Sequence, residues 1–434
     1  MMKYLYSSVI LLSSLFLTTY VISDDQITSD PIQSALKEYE EASNEFRTRK
    51  NPSTEERIEL WREWQTRLTE VVDQNPDSKR ITAARIALLG LCNGLGEFDQ
   101  SEAILSKIID ESDSVEEKIY MYNELGEVLK TKYWGNKSSS IAEESVDAFE
   151  KSYSLYRSLP KSSQESPYLG SQQVVSLCMA GRMLRLLDRR TDSAEKYQSA
   201  RELLQSSQEI AIEAQHLGYD LEGIADLEMV EWVNAKEETR ALHCLDILSK
   251  LSSYRIPPSS YALKYAKLQY APNSMEFQQF VSEWLDSHSP DEQTPILMAE
   301  LGISYYNDEQ LEKALHIYED LRSKHASDFQ KIEENAFRKG RGGCYGKILY
   351  DMAVIYLRQG KVEEAENVKS ELTTLLPNTP NLEYLTPESF SADLATFSEE
   401  DTRKTNNYLI RILFVIVGAS FIFLGIYFRK LRRT

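Results

Sequence analysis

Few residues in this 434-residue chain could do covalent or metal chemistry, and their spacing argues against it. Five histidines stand at His216, His243, His288, His316 and His325, and none pairs with another at a metal-ligand spacing. His243 and Cys244 are neighbours, but adjacent helical side chains point about 100° apart, which makes them a poor base and nucleophile. The four cysteines, Cys92, Cys178, Cys244 and Cys344, form no CxxC pair. Three of them sit in apolar helical contexts, where a thiol behaves as a small hydrophobe, and free thiols are expected. No HExxH, GxxxxGK[ST], GxSxG or calcium-loop pattern occurs. The glycines of 90–96, GLCNGLG, lack the preceding strand of a dinucleotide site and read as turn residues between helices. Carboxylates are so numerous, 68 in all, that no pair of them singles itself out as acid and base. The expectation is a protein with no cofactor and no catalytic centre.

Recognition chemistry is better represented. Arg182 and Arg185 recur along one face of a helical stretch, with Arg189 and Arg190 close behind. A basic, glycine-rich run, FRKGRGGCYGK, lies in the segment 331–347 and carries Arg338 and Arg341. Both islands stand in an acidic chain. Formal net charge is −19, and the stretch 24–407 alone has 43 basic against 68 acidic residues, a balance of −25. That charge disfavours nucleic acid and anionic membrane as ligands, and its main role is solubility of an exposed helical surface. The bland alternative for the arginines is ion pairing with glutamates of a neighbouring helix, and for the basic run a tolerated surface insertion.

The elements that must position these residues are helical. Only 17 glycines are available for turns, and the dominant residues are good helix formers. Asp30-Pro31 reads as an N-cap followed by proline in the first turn, and Ser53 with Glu56 as a capping box. Leu60, Trp61, Trp64, Leu68 and Val71 make the stripe of the helix that follows. Residues 298–326 hold Met298, Leu301, Gly302 and Tyr305, then Ala314, Tyr318 and Leu321, with an expected stop near Ala326. Residues 349–377 repeat the order with Leu349, Met352, Ala353, Tyr356, Ala365, Leu372 and Pro377. Weaker units begin near Arg85, Tyr122, Leu177, Ala225 and Ala262, the second of them interrupted by a polar insert at 135–140. That insert holds the one glycosylation sequon, Asn136-Lys137-Ser138.

These repeats resemble the tetratricopeptide family, most clearly at 298–326 and 349–377. The resemblance implies an all-α solenoid of about seven helix pairs, in which small residues at the eighth and twentieth positions let two helices cross closely. Unit spacing varies from roughly 36 to 55 residues, where a regular array keeps to about 34. By family position, Tyr306, Asn307, Tyr350 and Arg358 face a groove, as do Arg182 and Arg185. The charge clamp some members use for a peptide carboxylate is not in register, since the fifth positions are Asn123, Cys178, Ala299 and Tyr350.

The ends of the chain carry addresses. Residues 1–23 read as a signal peptide cut after Ser23, with Val21 and Ser23 at the small-residue positions. Tyr408–Phe428 reads as one transmembrane helix, long enough for a bilayer core of about 30 Å. Arg429, Lys430, Arg432 and Arg433 in the tail 429–434 place that end in the cytoplasm. Residues 24–377 form the helical-repeat ectodomain and 378–407 a juxtamembrane linker or capping segment. The expected protein is a membrane-anchored interaction scaffold or assembly factor acting outside the cytoplasm, with other proteins or peptides as its partners. A periplasmic or lumenal assembly chaperone with transient clients is the alternative.

Overall fold

The computed structural model describes residues 30–49, 53–251, 256–338 and 344–375, with side chains of 327–344 excepted. The chain divides into two compact units, Met1–Ser253 and Tyr254–Thr434. Among the described residues every regular element is a helix.

In the first unit, α1 (Pro31–Thr48) and α2 (Thr54–Gln74) precede the pair α3 (Ile81–Leu95) and α4 (Phe98–Glu111). The pair α5 (Val115–Asn136) and α6 (Ser139–Ser158) follows, then the single turn α7 (Lys161–Gln164). Next come α8 (Pro167–Leu186) and α9 (Arg190–Ser206), a short α10 (Gln208–His216), and the pair α11 (Leu221–Asn234) and α12 (Glu238–Lys250). The second unit holds three pairs: α13 (Pro258–Gln269) with α14 (Met275–Ser287), α15 (Thr294–Asn307) with α16 (Leu311–Arg338), and α17 (Cys344–Arg358) with α18 (Val362–Leu375). All seven expected units are present as antiparallel neighbours in sequence, with α1 and α2 as an eighth pair in front. The fold is all-α, a succession of repeated helix pairs. The wide spacing before α11 comes from α10, which packs on α8 and α9.

Local chemistry sets the ends of these helices. Asp30 accepts from the Ile32 N–H at 2.8 Å, and Ser53 and Glu56 close their capping box at 3.1 and 2.7 Å. Inside the pairs a single turn recurs. Gly96, Asp188, Lys236, Glu309 and Gly360 all take the left-handed conformation. In each case the next N–H bonds a carbonyl five residues back, at 2.9 Å: Glu97 to Cys92, Arg189 to Leu184, Glu237 to Trp232, Gln310 to Tyr305 and Lys361 to Tyr356. This Schellman closure satisfies the carbonyls of the first helix and turns the chain directly into the second.

The close crossings are where the sequence places small residues. A Cβ on Gly302 would lie 2.4 Å from the Tyr318 ring, one on Gly126 2.6 Å from Phe149, and one on Gly181 3.1 Å from Tyr197. Ala314, Ser145 and Ser193 oppose those glycines, fully buried. The two serine hydroxyls donate to the Gly126 and Gly181 carbonyls, both at 2.8 Å. Apolar side chains fill the space around each crossing. Ile32, Leu36, Trp64, Leu68 and Leu88 join α1, α2 and α3, and Val174, Leu177, Tyr197, Ile210 and Ile224 join α8 to α11. In the second unit Ala299, Tyr318, Leu349, Met352 and Leu372 do the same across α15 to α18. Burying one such side chain stabilises by roughly 1.5–3 kcal/mol.

Four local expectations need correction. Residues 135–140 do not interrupt their unit: α5 simply runs on to Asn136, and two residues turn the chain into α6. The second helix of the 298–326 unit does not stop near Ala326. It continues to Arg338, because Ser327–Arg338 contains neither proline nor glycine and is rich in helix formers. The segment 331–347 is therefore helical at both ends rather than an inserted loop, as α17 already begins at Cys344. In GLCNGLG only Gly96 is a turn residue; Gly90 and Gly94 lie inside α3, where a Cβ on Gly94 would meet Trp61 at 2.6 Å. Cys92, Cys178 and Cys244 are buried free thiols. Among the described residues no helix is long and apolar enough to cross a membrane. The signal peptide, the segment 378–407, the span Tyr408–Phe428 and the tail all lie outside them.

Candidate functional site

First helices of successive pairs lie side by side, α5 against α8 and α15 against α17. Their outer faces therefore form continuous strips, and the sequence-predicted residues fall on two of these.

In the first unit the strip is built from α5 and α8. Tyr120, Glu124 and Glu127 follow four- and three-residue steps and so share one face of α5. Tyr120 and Tyr168 bring their rings to 5.9 Å, and the Tyr168 ring is exposed at the start of α8. Glu124 is half-buried beside them. Its crowded surroundings, and then the neighbouring charge of Glu127, push its carboxyl up to about 7. Lys130 pairs with Glu127 and reaches the Met179 sulfur of α8 at 3.4 Å. Behind this surface the Ser176 hydroxyl donates to Asn123 Oδ1 at 2.6 Å, and Ser152 donates to Gln173 Oε1 at 3.3 Å. The Nδ2 of Asn123 and Nε2 of Gln173 are buried without an acceptor. Burial without an acceptor is costly, so both amide groups mark places where the polar packing is incomplete.

The arginine run divides clearly. Arg185 stands 3.7 Å from the buried Glu231, which Arg190 also reaches at 3.2 Å. Burial raises the Glu231 carboxyl, and Arg190 holds it back. Arg189 bonds Asp192 at 2.7 Å and Glu143 at 2.9 Å. Arg182 differs. It is exposed on α8 and makes no ion pair among the described residues. Burial pushes the Cys178 thiol up to about 12 and raises the Tyr219 hydroxyl, and the Arg182 charge opposes both shifts. The strip thus runs from paired tyrosines through carboxylates to one uncommitted guanidinium.

In the second unit Tyr306 of α15 and Tyr350 of α17 flank Asp351, a carboxylate only 2% exposed. Asp351 accepts from Lys347 at 2.8 Å and from the Tyr318 hydroxyl at 3.3 Å. Burial raises its carboxyl, and the Lys347 hydrogen bond is the first influence against that. The Lys347 ammonium also lies 5.4 Å above the Tyr306 ring. Burial, with Asp351 behind it, pushes the Tyr306 hydroxyl up to about 12. Arg358 pairs with Glu309 at 3.1 Å, and Asn307 donates to Asn273 in the preceding pair at 3.2 Å. Tyr306, Tyr350 and Arg358 are therefore brought together, while Asn307 is tied to Asn273. The side chains of Arg338 and Arg341 lie outside the described residues.

Sequence reasoning missed Asp351, Glu124 and Glu127 as parts of these strips, and read Lys347 only as the end of the basic run. The register of the eighth position could have placed them, because each lies within six residues of Gly126 or Ala353. Among the described residues no group of three His, Cys, Asp or Glu could hold a metal ion. The groups present can recognise charge and hydrogen-bonding capacity.

No protein-family model matches the chain, and no curated protein does. Solved structures give distant similarities. The apo quorum sensor NprR of B. thuringiensis is 16% identical, with 72% of this chain and 80% of that chain covered, at a TM-score of 0.28. The Rap conjugation gene regulator of plasmid pLS20, in complex with the Phr* peptide, is 13% identical, with 81% and 99% covered, at 0.29. Aspartyl phosphate phosphatase F of Bacillus subtilis is 14% identical, with 86% and 91% covered, at 0.26. At such scores these likenesses say nothing about groove geometry or ligand.

Proposed function

We propose that this chain is a membrane-tethered interaction module, whose helix pairs hold a segment of another protein outside the cytoplasm. The observation that carries this reading is Arg182. In an acidic molecule whose neighbouring arginines are all committed to carboxylates, one exposed guanidinium makes no ion pair among the described residues, and its charge reaches Cys178 and Tyr219. Neither the helix crossings nor the turns need it. With Tyr168 and Glu124 on the same strip, it suits a protein segment that offers a carboxylate near a cationic or amide group. The anchor and the extracytoplasmic placement rest on 408–434 and 1–23 of the sequence.

The test is purification of the intact protein from detergent-solubilised membranes, followed by titration with the chain that copurifies. Arg182→Glu is expected to weaken binding about tenfold, near 1.4 kcal/mol, and to reduce its salt dependence. Arg62→Glu, an exposed charge on the outer helix α2, serves as the control and is expected to leave binding unchanged. Equal affinity in both variants overturns the assignment of the strip. Release of the protein from membranes by alkaline carbonate overturns the anchor.

A further inference from the structure

We propose that Asn136 is an attachment site for an N-linked glycan, transferred from a lipid-diphosphate-linked oligosaccharide. This rests on the extracytoplasmic placement proposed above, because such donors serve chains that have crossed a membrane.

The triplet Asn136-Lys137-Ser138 satisfies the acceptor rule of asparagine, a non-proline residue and a hydroxyl two positions on. The structure adds four facts to the motif. Asn136 is the last residue of α5 and is exposed. Its Oδ1 accepts from the Ser138 N–H at 2.9 Å, which leaves Nδ2, the atom that would be glycosylated, free of any hydrogen bond among the described residues. A Cβ on the preceding Gly135 would meet nothing within 4 Å, so the turn has open space around it. Ser138 stands at the N-cap of α6, where serine hydroxyls normally cap, yet here it caps nothing. The hydroxyl has no structural duty in the fold.

An otherwise unexplained aromatic lies beside the triplet. Trp134 is 48% exposed, in a chain whose other described tryptophans are buried or half-buried. Tyr133 meets it edge-on at 5.6 Å, and the Lys137 ammonium covers part of it at 3.6 Å. The remainder faces solvent two residues from the acceptor. A sugar ring on Asn136 would cover that apolar surface, since pyranose C–H groups pack well on an aromatic face. In the transfer, the asparagine Nδ2–C1 bond forms as the C1–O bond to the diphosphate breaks. The amide proton goes to a base on the transferase, and the lipid diphosphate leaves.

The fold tolerates the acceptor variants, which keeps the test clean. Ser138→Ala removes a hydroxyl that makes no cap bond, and Asn136→Gln alters one exposed side chain at a helix end. The full chain is translated in the presence of endoplasmic-reticulum membranes, then treated with an amidase that releases N-glycans and leaves aspartate. The expected result is one glycan, lost on amidase treatment, with Asp found at position 136 by peptide mass mapping. Asn136→Gln and Ser138→Ala are expected to abolish it, and Ser138→Thr to keep it. The same chain is also made with residues 1–23 replaced by a secretory leader of proven activity. An unmodified Asn136 behind that leader overturns the glycan site. Modification behind the proven leader, without modification behind the native one, supports the site and overturns the extracytoplasmic placement.

Discussion

The most deeply buried ion pair among the described residues of the first unit lies in its core. Arg201 donates from Nε and Nη2 to the two oxygens of Glu228, at 2.6 and 3.2 Å, and both side chains are almost completely buried. The Trp232 indole N–H donates to the same carboxylate at 3.3 Å. Three donors on one carboxylate offset much of its desolvation, but only while all the partners are present. Glu228→Ala leaves a buried guanidinium and a buried indole N–H unpaired, and is expected to cost about 3–5 kcal/mol. The double variant Arg201→Met/Glu228→Leu removes both charges and is expected to recover most of that loss. Urea unfolding followed by tryptophan fluorescence measures both; a single variant within 1 kcal/mol of the parent would show that the pair contributes little. This pair was not legible in the sequence. Its members stand 27 residues apart in a chain with 68 acids and 49 bases, so nothing but the fold selects them. Arg182 was legible, because its register followed from Gly181. That Arg182 is unpaired while Arg185 is not depends on where Glu231 falls, which no local pattern records.

Helices and their pairing were readable because the signal is steric and local. Gly302 and Ala314, or Gly181 and Ser193, stand a fixed distance apart, and only small residues permit those crossings. The length of α16 was not readable from the repeat pattern, which is silent once the crossing residues are passed. The long α5 was misread for a different reason: polar residues near its end carry no apolar stripe, so a solvated helix end resembles a loop. The recurring turn yields a prediction of its own. Only two of its five left-handed positions hold glycine, and Lys236 sits there at φ 62° with no side-chain hydrogen bond or ion pair among the described residues. A non-glycine residue in that conformation costs about 1–2 kcal/mol, while glycine loses more entropy on folding. Lys236→Gly is therefore expected to stabilise the first unit by about 0.5–1 kcal/mol. Thermal unfolding checks this, and a lower melting temperature would mean that the lysine stem contributes packing that outweighs the backbone term.

On the scale of the whole chain, each unit has its own core clusters, and each cluster takes in only helices that are neighbours in the chain. Destabilisation should stay local. Gly302→Leu forces a side chain into space held by the Tyr318 ring, and is expected to cost about 1–3 kcal/mol through overpacking. Calorimetry of the intact protein should then show the second unit melting earlier, with the first unit's transition unmoved. A joint shift of both would show one cooperative body in place of two.

The arrangement of contacts also bears on how the chain acquires its structure. Substantial helix–helix contacts join elements no more than three apart in chain order. No pair has to wait for a distant partner, so the contact order is low and the search for native pairings is short. A chain of this kind can fold vectorially: α1 to α4 can close their core while later helices are still being synthesised. Each completed pair then presents the next with a preformed docking surface, and unfolded length exposed to aggregation stays near that of a single pair throughout synthesis.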